Sequence, residues 1–188
     1  MKKVLLLIAF AILHATTFAQ TSLTSYGIYS ADSGDILFAI QLNGKKKISE
    51  KFYLTYVGYN NKNIGKAMVG VTYSPKSWVR FNIRAGVEKS NAGYRLGTSL
   101  WLGKDKYSLL LIADKGKGSK NYFYQAVGKY QLNKKIDLGI NVWRFHGIGP
   151  HVGFRYKIFK LNSRIFLAPL YDFEFEQTRL VLGITIKI

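Results

Sequence analysis

Several arginines and lysines of this chain fall at even spacings, as Arg80 and Arg84 do in one stretch and Arg155 and Lys157 in another, with Arg95 lying between the two stretches. Basic groups gathered on one face of a wall would form an anion-attracting field, because rings of Arg or Lys select anions in pores. Carboxylates are scarcer, and Asp35, Asp137, Asp172 and Glu174 are the ones whose spacing places them on the same face as the basic residues. Two histidines, His146 just before and His151 within the glycine-rich stretch 147–153, invite a hydrolase reading. That reading lacks a nucleophile: no Ser or Thr lies near either histidine in sequence, and no Gly-x-Ser-x-Gly arrangement occurs. The same stretch is not a phosphate cradle, since Pro150 removes an amide donor and no helix follows. Two histidines five residues apart with no nearby carboxylate make a poor ligand set, so neither a metal nor a cofactor is expected.

The elements that must position these groups are strands. In 78–87, Val79, Phe81, Ile83, Ala85 and Val87 share one face, while Trp78, Arg80, Asn82, Arg84 and Gly86 share the other. Ile136, Leu138, Ile140 and Val142 oppose Asp137, Gly139, Asn141 and Trp143. Val152, Phe154, Tyr156 and Ile158 oppose Gly153, Arg155 and Lys157. Near the end, Leu180, Leu182, Ile184 and Ile186 oppose Arg179, Val181, Gly183 and Thr185. Successive side chains of a strand point to opposite faces, so this period of two predicts half-apolar strands. Polar punctuators such as Asn43-Gly44-Lys45, Ser74-Pro75-Lys76 and Lys160-Leu161-Asn162 separate the runs and read as hairpin turns. The expected strands are 23–30, 35–42, 50–59, 64–74, 77–88, 92–103, 106–114, 120–132, 135–145, 149–159, 162–173 and 177–188, twelve in all. Ten is the alternative, because 22–30 alternates poorly.

Composition narrows the class. The 188 residues contain no cysteine, which excludes disulfide staples and cysteine-based zinc sites, and 28 Lys+Arg against 10 Asp+Glu give a net charge of +18. With 48% hydrophobic and 20% charged residues, the chain is too apolar for a disordered basic tail. Its basic residues are spread over all the strands with no recognition helix, so nucleic acid is not an expected partner. Lys2 and Lys3 precede the apolar stretch 4–13 and the segment ends Phe18-Ala19-Gln20, which reads as a signal peptide over 1–20 followed by one domain over 21–188. At roughly ten residues that stretch is too short to span a bilayer, which takes about 20.

An exported chain of alternating strands with short turns reverses the polarity of a soluble barrel, the apolar face meeting lipid and the polar face lining the interior. Tyr94, Tyr107, Tyr122, Tyr130, Tyr156, Tyr171 and Phe173 stand at strand ends, where an interfacial girdle belongs. Hairpin arithmetic then places Asp137 opposite Lys157 and Asp172 opposite Arg179 as structural ion pairs. It sets Arg84 opposite Arg95, an arrangement that demands an intervening anion or carboxylate, for which Asp114 and Glu88 are the available acids.

With its Lys2-Lys3 to Gln20 leader, alternating hairpins and terminal strand 178–188, the chain resembles a small outer-membrane β-barrel protein of Gram-negative, Bacteroidetes-type bacteria. The resemblance is one of architecture. It implies an all-β, transmembrane, antiparallel up-and-down barrel in the outer membrane, and it implies outer-membrane lipid, lipopolysaccharide and the outer-membrane assembly machinery as partners. The functional expectation is a narrow, porin-like channel for small anionic solutes, its lumen lined by Arg80, Arg84, Arg95, Arg155 and Lys157. A non-conducting structural or lipopolysaccharide-contacting barrel is the rival, and a lipid-modifying barrel enzyme comes last.

Overall fold

A computed structural model describes residues 20–89 and 93–188. The expected signal peptide lies almost wholly outside the described residues. Twelve antiparallel strands follow one another: β1 (Gln20–Ser30), β2 (Ile36–Lys47), β3 (Phe52–Asn61), β4 (Gly65–Lys76), β5 (Val79–Glu88), β6 (Gly93–Lys104), β7 (Tyr107–Gly116), β8 (Tyr122–Gln131), β9 (Ile136–Trp143), β10 (Gly147–Ile158), β11 (Leu161–Asp172) and β12 (Gln177–Lys187). Each pairs with its sequence neighbours, and β1 closes on β12 from Ser22↔Lys187 to Ser30↔Arg179, so the sheet has no free edge.

Polarity is inside out. Phe38, Val69, Ile83 and Leu182 are each more than half exposed on the outer wall, whereas Asp114, Asp137, Arg95 and Glu88 are buried on the inner one. Only a hydrocarbon surrounding makes this arrangement favourable, because in water it would expose the greasy face and desolvate the charges. All twelve strands also hydrogen-bond on both sides, as backbone in lipid requires. Tyr107 and Tyr94, both largely exposed, sit on the outer wall near opposite rims.

The five connections at 48–51, 77–78, 105–106, 132–135 and 159–160 share the rim that carries the chain termini. The shortest show why they are tight. Phe159 and Lys160 both have positive φ, 46° and 69°, the backbone of a two-residue hairpin whose twist matches the strands.

Two expected turns dissolve into strands. Asn43-Gly44-Lys45 lies within β2, which runs on to Lys47. The reason is tertiary: the ring of Tyr56, paired across from Gly44, occupies the space a side chain there would need, and an aromatic covering a strand glycine secures the pairing that an Asn-Gly turn would break. Likewise Ser74-Pro75-Lys76 ends β4 in a register irregularity between Tyr73 and Lys76, where proline is tolerated. Trp78 therefore falls in the connection and stands on the outer wall, where it lines a groove with Leu102 and Tyr107, instead of pointing inward.

Candidate functional site: the basic lumen

Inward side chains form three groups. One is apolar: Tyr26, Ile28, Ala39, Trp143, Ala168, Leu170 and Val181 pack together near the rim opposite the termini, with Phe166 and Phe123 against them. Tyr26 meets the Trp143 ring edge-on at 5.4 Å. This group narrows the lumen from the β1, β11 and β12 side.

The second group sits across the lumen, on β4 to β7. Asp114, whose side chain is wholly buried, accepts from Lys66 Nζ at 2.7 Å and from Arg84 Nη2 at 2.7 Å. Arg95 Nε lies 3.7 Å from the same carboxylate, and its Nη1 binds Glu88. Asn121 Oδ1 accepts from Arg95 at 3.0 Å. Arg84 and Arg95 are thus held apart by a carboxylate from a third strand. Their register also differs from the hairpin arithmetic, since Arg84 pairs with Gly97 and Arg95 with Gly86. Gly86 is obligatory there, because a Cβ would run into the backbone of Ala67 and Met68.

The third group centres on Asp137, also buried, at the end of β9 nearest the termini. It binds Arg164 through two donors, Nε at 3.0 Å and Nη2 more closely, and Arg155 Nη2 at 3.2 Å, while His151 Nε2 stands 3.7 Å away. The expected pairing of Asp137 with Lys157 is corrected here. The β9–β10 connection is centred two residues earlier than expected, so Asp137 faces Gly153, and Lys157 faces Asn162 across β11 while standing exposed at the strand end. The open side of Gly153 is filled by the Arg164 guanidinium, which brings that charge onto Asp137.

Asp172 and Arg179 form an ion pair at 2.9 Å, diagonally, since the register partners are Leu170↔Arg179 and Asp172↔Gln177. Arg80 has its guanidinium 4.3 Å from the centre of the Trp101 ring, near the terminal rim. Of the expected lumenal cations, Arg84 and Arg95 converge on one carboxylate, Arg155 on another, and Arg80 and Lys157 stand apart from both.

Asp114, one of the two acids the sequence makes available to Arg84 and Arg95, is the hub of the larger cluster, yet its face is not legible in the sequence. Leu109, Leu110, Leu111 and Ile112 make β7 apolar on both faces and hide its parity. Both histidines pack against aromatic rings. His146, in the connection 144–146, meets the Trp143 ring edge-on at 4.5 Å, whereas His151 stacks on Phe166 at 5.8 Å. Burial, reinforced by the nearby Arg179 cation and opposed by Asp172, pulls the His146 pKa down to about 4. Among the described residues neither imidazole has a hydroxyl partner, and Nδ1 of each is unpaired.

Between the groups lies a cavity of about 450 Å³, lined by Lys66, Arg84, Arg95 and Asp114 on one wall and by Lys129, His151 and Arg164 on the other. It reaches the rim opposite the termini at Asn63, Tyr122 and Arg144. Asp114, which lines the cavity, is approached by Lys66, Arg84 and Arg95, while Asp137 with Arg155 lies beyond the lining and reaches it through Arg164.

No protein-family model matches the chain, and no curated protein matches its sequence. Solved structures do share the architecture. The KdgM porin superposes with a TM-score of 0.56 at 16% identity, over 88% of this chain and 98% of that one. The NanC porin gives 0.53 at 10% identity, over 88% and 100%. Outer membrane phospholipase A from Escherichia coli gives 0.53 at 12% identity, over 89% of each. What these likenesses share with this chain is the fold, a closed antiparallel β-barrel, here of twelve strands.

Proposed function

We propose that the protein is an outer-membrane pore whose narrow, positively charged lumen passes small anionic solutes. The observation that carries this reading is the cation excess of the inward clusters, where Lys66, Arg84 and Arg95 share Asp114 and Glu88, and Arg155 and Arg164 share Asp137. Such an interior raises the local concentration of anions and repels cations. Two of the similar folds are porins, and one structure of the KdgM porin is a complex with disordered oligogalacturonate. Each galacturonate unit carries a carboxylate, a solute chemistry that a lumen of this sign would accept. Twelve strands enclose more room than the eight whose side chains just fill a barrel and much less than a 16-stranded porin.

The rival, a non-conducting barrel, draws support from the inward packing of Tyr26, Trp143 and Leu170. Contact with lipopolysaccharide phosphates has less support, because Lys115 and Arg144 at the rim opposite the termini are engaged by backbone carbonyls at 118–122. Reconstitution into a planar bilayer under a salt gradient separates the readings. Discrete conductance with a reversal potential on the anion side, reduced in Arg80→Ala/Arg155→Ala, is the expected result. Silence at all voltages supports the non-conducting barrel, and cation preference defeats the account of the basic lumen.

A further inference from the structure

On the outer wall beside the terminal rim, the outward side chains leave an open groove of about 590 Å³. Its floor is Gly128, where an added Cβ would meet no atom within 4 Å. Its sides are Leu109 and Ile140, the register partners of Gly128 on β7 and β9, with Leu102 beyond. Toward the rim it is framed by Trp78 and by the Tyr107 and Tyr130 rings, whose centres are 5.1 Å apart. Lys104 lines its mouth, and Lys106 Nζ lies 5.9 Å from the centre of the Tyr130 ring. The neighbouring connection adds Lys134 and Lys135, and Asp105 is the one carboxylate in these two connections.

An apolar slot that opens at an aromatic girdle beneath clustered lysines has the polarity of one lipid molecule. We propose that the groove is a specific site for an anionic phospholipid of the leaflet nearest the chain termini. An acyl chain lies over Gly128 between Leu109 and Ile140, and the phosphate rests against Lys104 and Lys106. The inference rests on the membrane-spanning reading. Its occupant is fixed by charge complementarity, because lysines near a bilayer surface attract anionic headgroups while an uncharged headgroup gains nothing from them.

Trp78 makes the site observable. Trp143 is buried in the lumen and Trp101 lies inward beneath Arg80, which leaves Trp78 as the tryptophan on the lipid side. The full chain is folded into phosphatidylcholine vesicles, and resistance to carbonate extraction is checked first; release by carbonate would defeat the membrane-spanning reading and the inference with it. Trp78 emission is then titrated with chain-brominated phosphatidylglycerol or phosphatidylcholine. The expected result is preferential quenching by the anionic lipid. Lys104→Gln and Lys106→Gln should each weaken that preference roughly fivefold. Gly128→Phe, which fills open space and leaves the barrel intact, should abolish it. Equal quenching by both lipids, or a preference unchanged by Gly128→Phe, overturns the proposal even when the barrel is fully inserted. So does a cross-linked dimer that Gly128→Phe dissolves, since the groove would then hold a second copy of the chain.

Discussion

Replacing Asp114 by Asn tests whether the lumen is as dry and as positive as its geometry implies. The change keeps shape and removes one negative charge from a site where the carboxylate side chain is 0% exposed and Lys66, Arg84 and Arg95 are 13%, 10% and 5% exposed. Deleting one member of a buried ion pair typically costs about 3–5 kcal/mol, because the partner charge stays desolvated and uncompensated. Here three cations share the loss. Lys66 and Arg84 both line the cavity and can turn toward it, which places the expected cost near the lower end, about 3 kcal/mol. The assay is reversible urea unfolding in liposomes, read from tryptophan emission. A second substitution, Arg84→Gln in the Asp114→Asn background, should recover part of the loss, because one fewer buried cation is left unpaired. In the bilayer, Asp114→Asn should raise anion preference by exposing the cluster's full charge to the solute. A loss below about 1 kcal/mol would mean that water already solvates these cations. Both the ion-pair reasoning and the weakly screened field behind the proposed selectivity would then fail.

Leu182→Arg on the outer wall should cost about 2–4 kcal/mol in the same unfolding assay, since a charge near the bilayer midplane loses its hydration; the cavity-lining change Gln125→Lys should cost less, and equal damage would reverse the assignment of the two faces. Gly44→Val should destabilise by roughly 1–3 kcal/mol, because the side chain meets the Tyr56 ring, and Gly44→Val in a Tyr56→Ala background should be milder; no difference between the two would discard the ring-over-glycine explanation of β2. His146 has a folded pKa of about 4, below its unfolded value, so the unfolded chain binds more protons between about pH 4 and 6.5. Stability should therefore fall as pH drops through that window, and His146→Phe should remove this part of the slope; an unchanged slope would refute the burial of the imidazole against Trp143.

Period-two alternation carried most of the twelve strands and the face of most of their residues, failing at Trp78, which a connection turns outward, and in β7, where Leu109 to Ile112 hide the parity of Asp114. That signal belongs to each strand alone: the parity of Arg84, Asn141 or Leu182 is the same whatever its neighbour does. The sequence also shows that basic residues outnumber acidic ones on the inward parity, the imbalance on which the proposed selectivity rests. Partnerships lay beyond it. A hairpin centred two residues from its expected position moves Asp137 from Lys157 to Gly153 and gives the carboxylate to Arg155 and Arg164. Barrel closure and the reach of long side chains bring Lys66, Arg84 and Arg95 from three strands onto Asp114 of a fourth, a convergence that no single hairpin encodes. Asn43-Gly44 remained a turn signal until Tyr56 of the next strand covered it. Face is a local property of the chain, whereas register and contact are set by packing energies shared among strands distant in sequence, so only the closed barrel decides them.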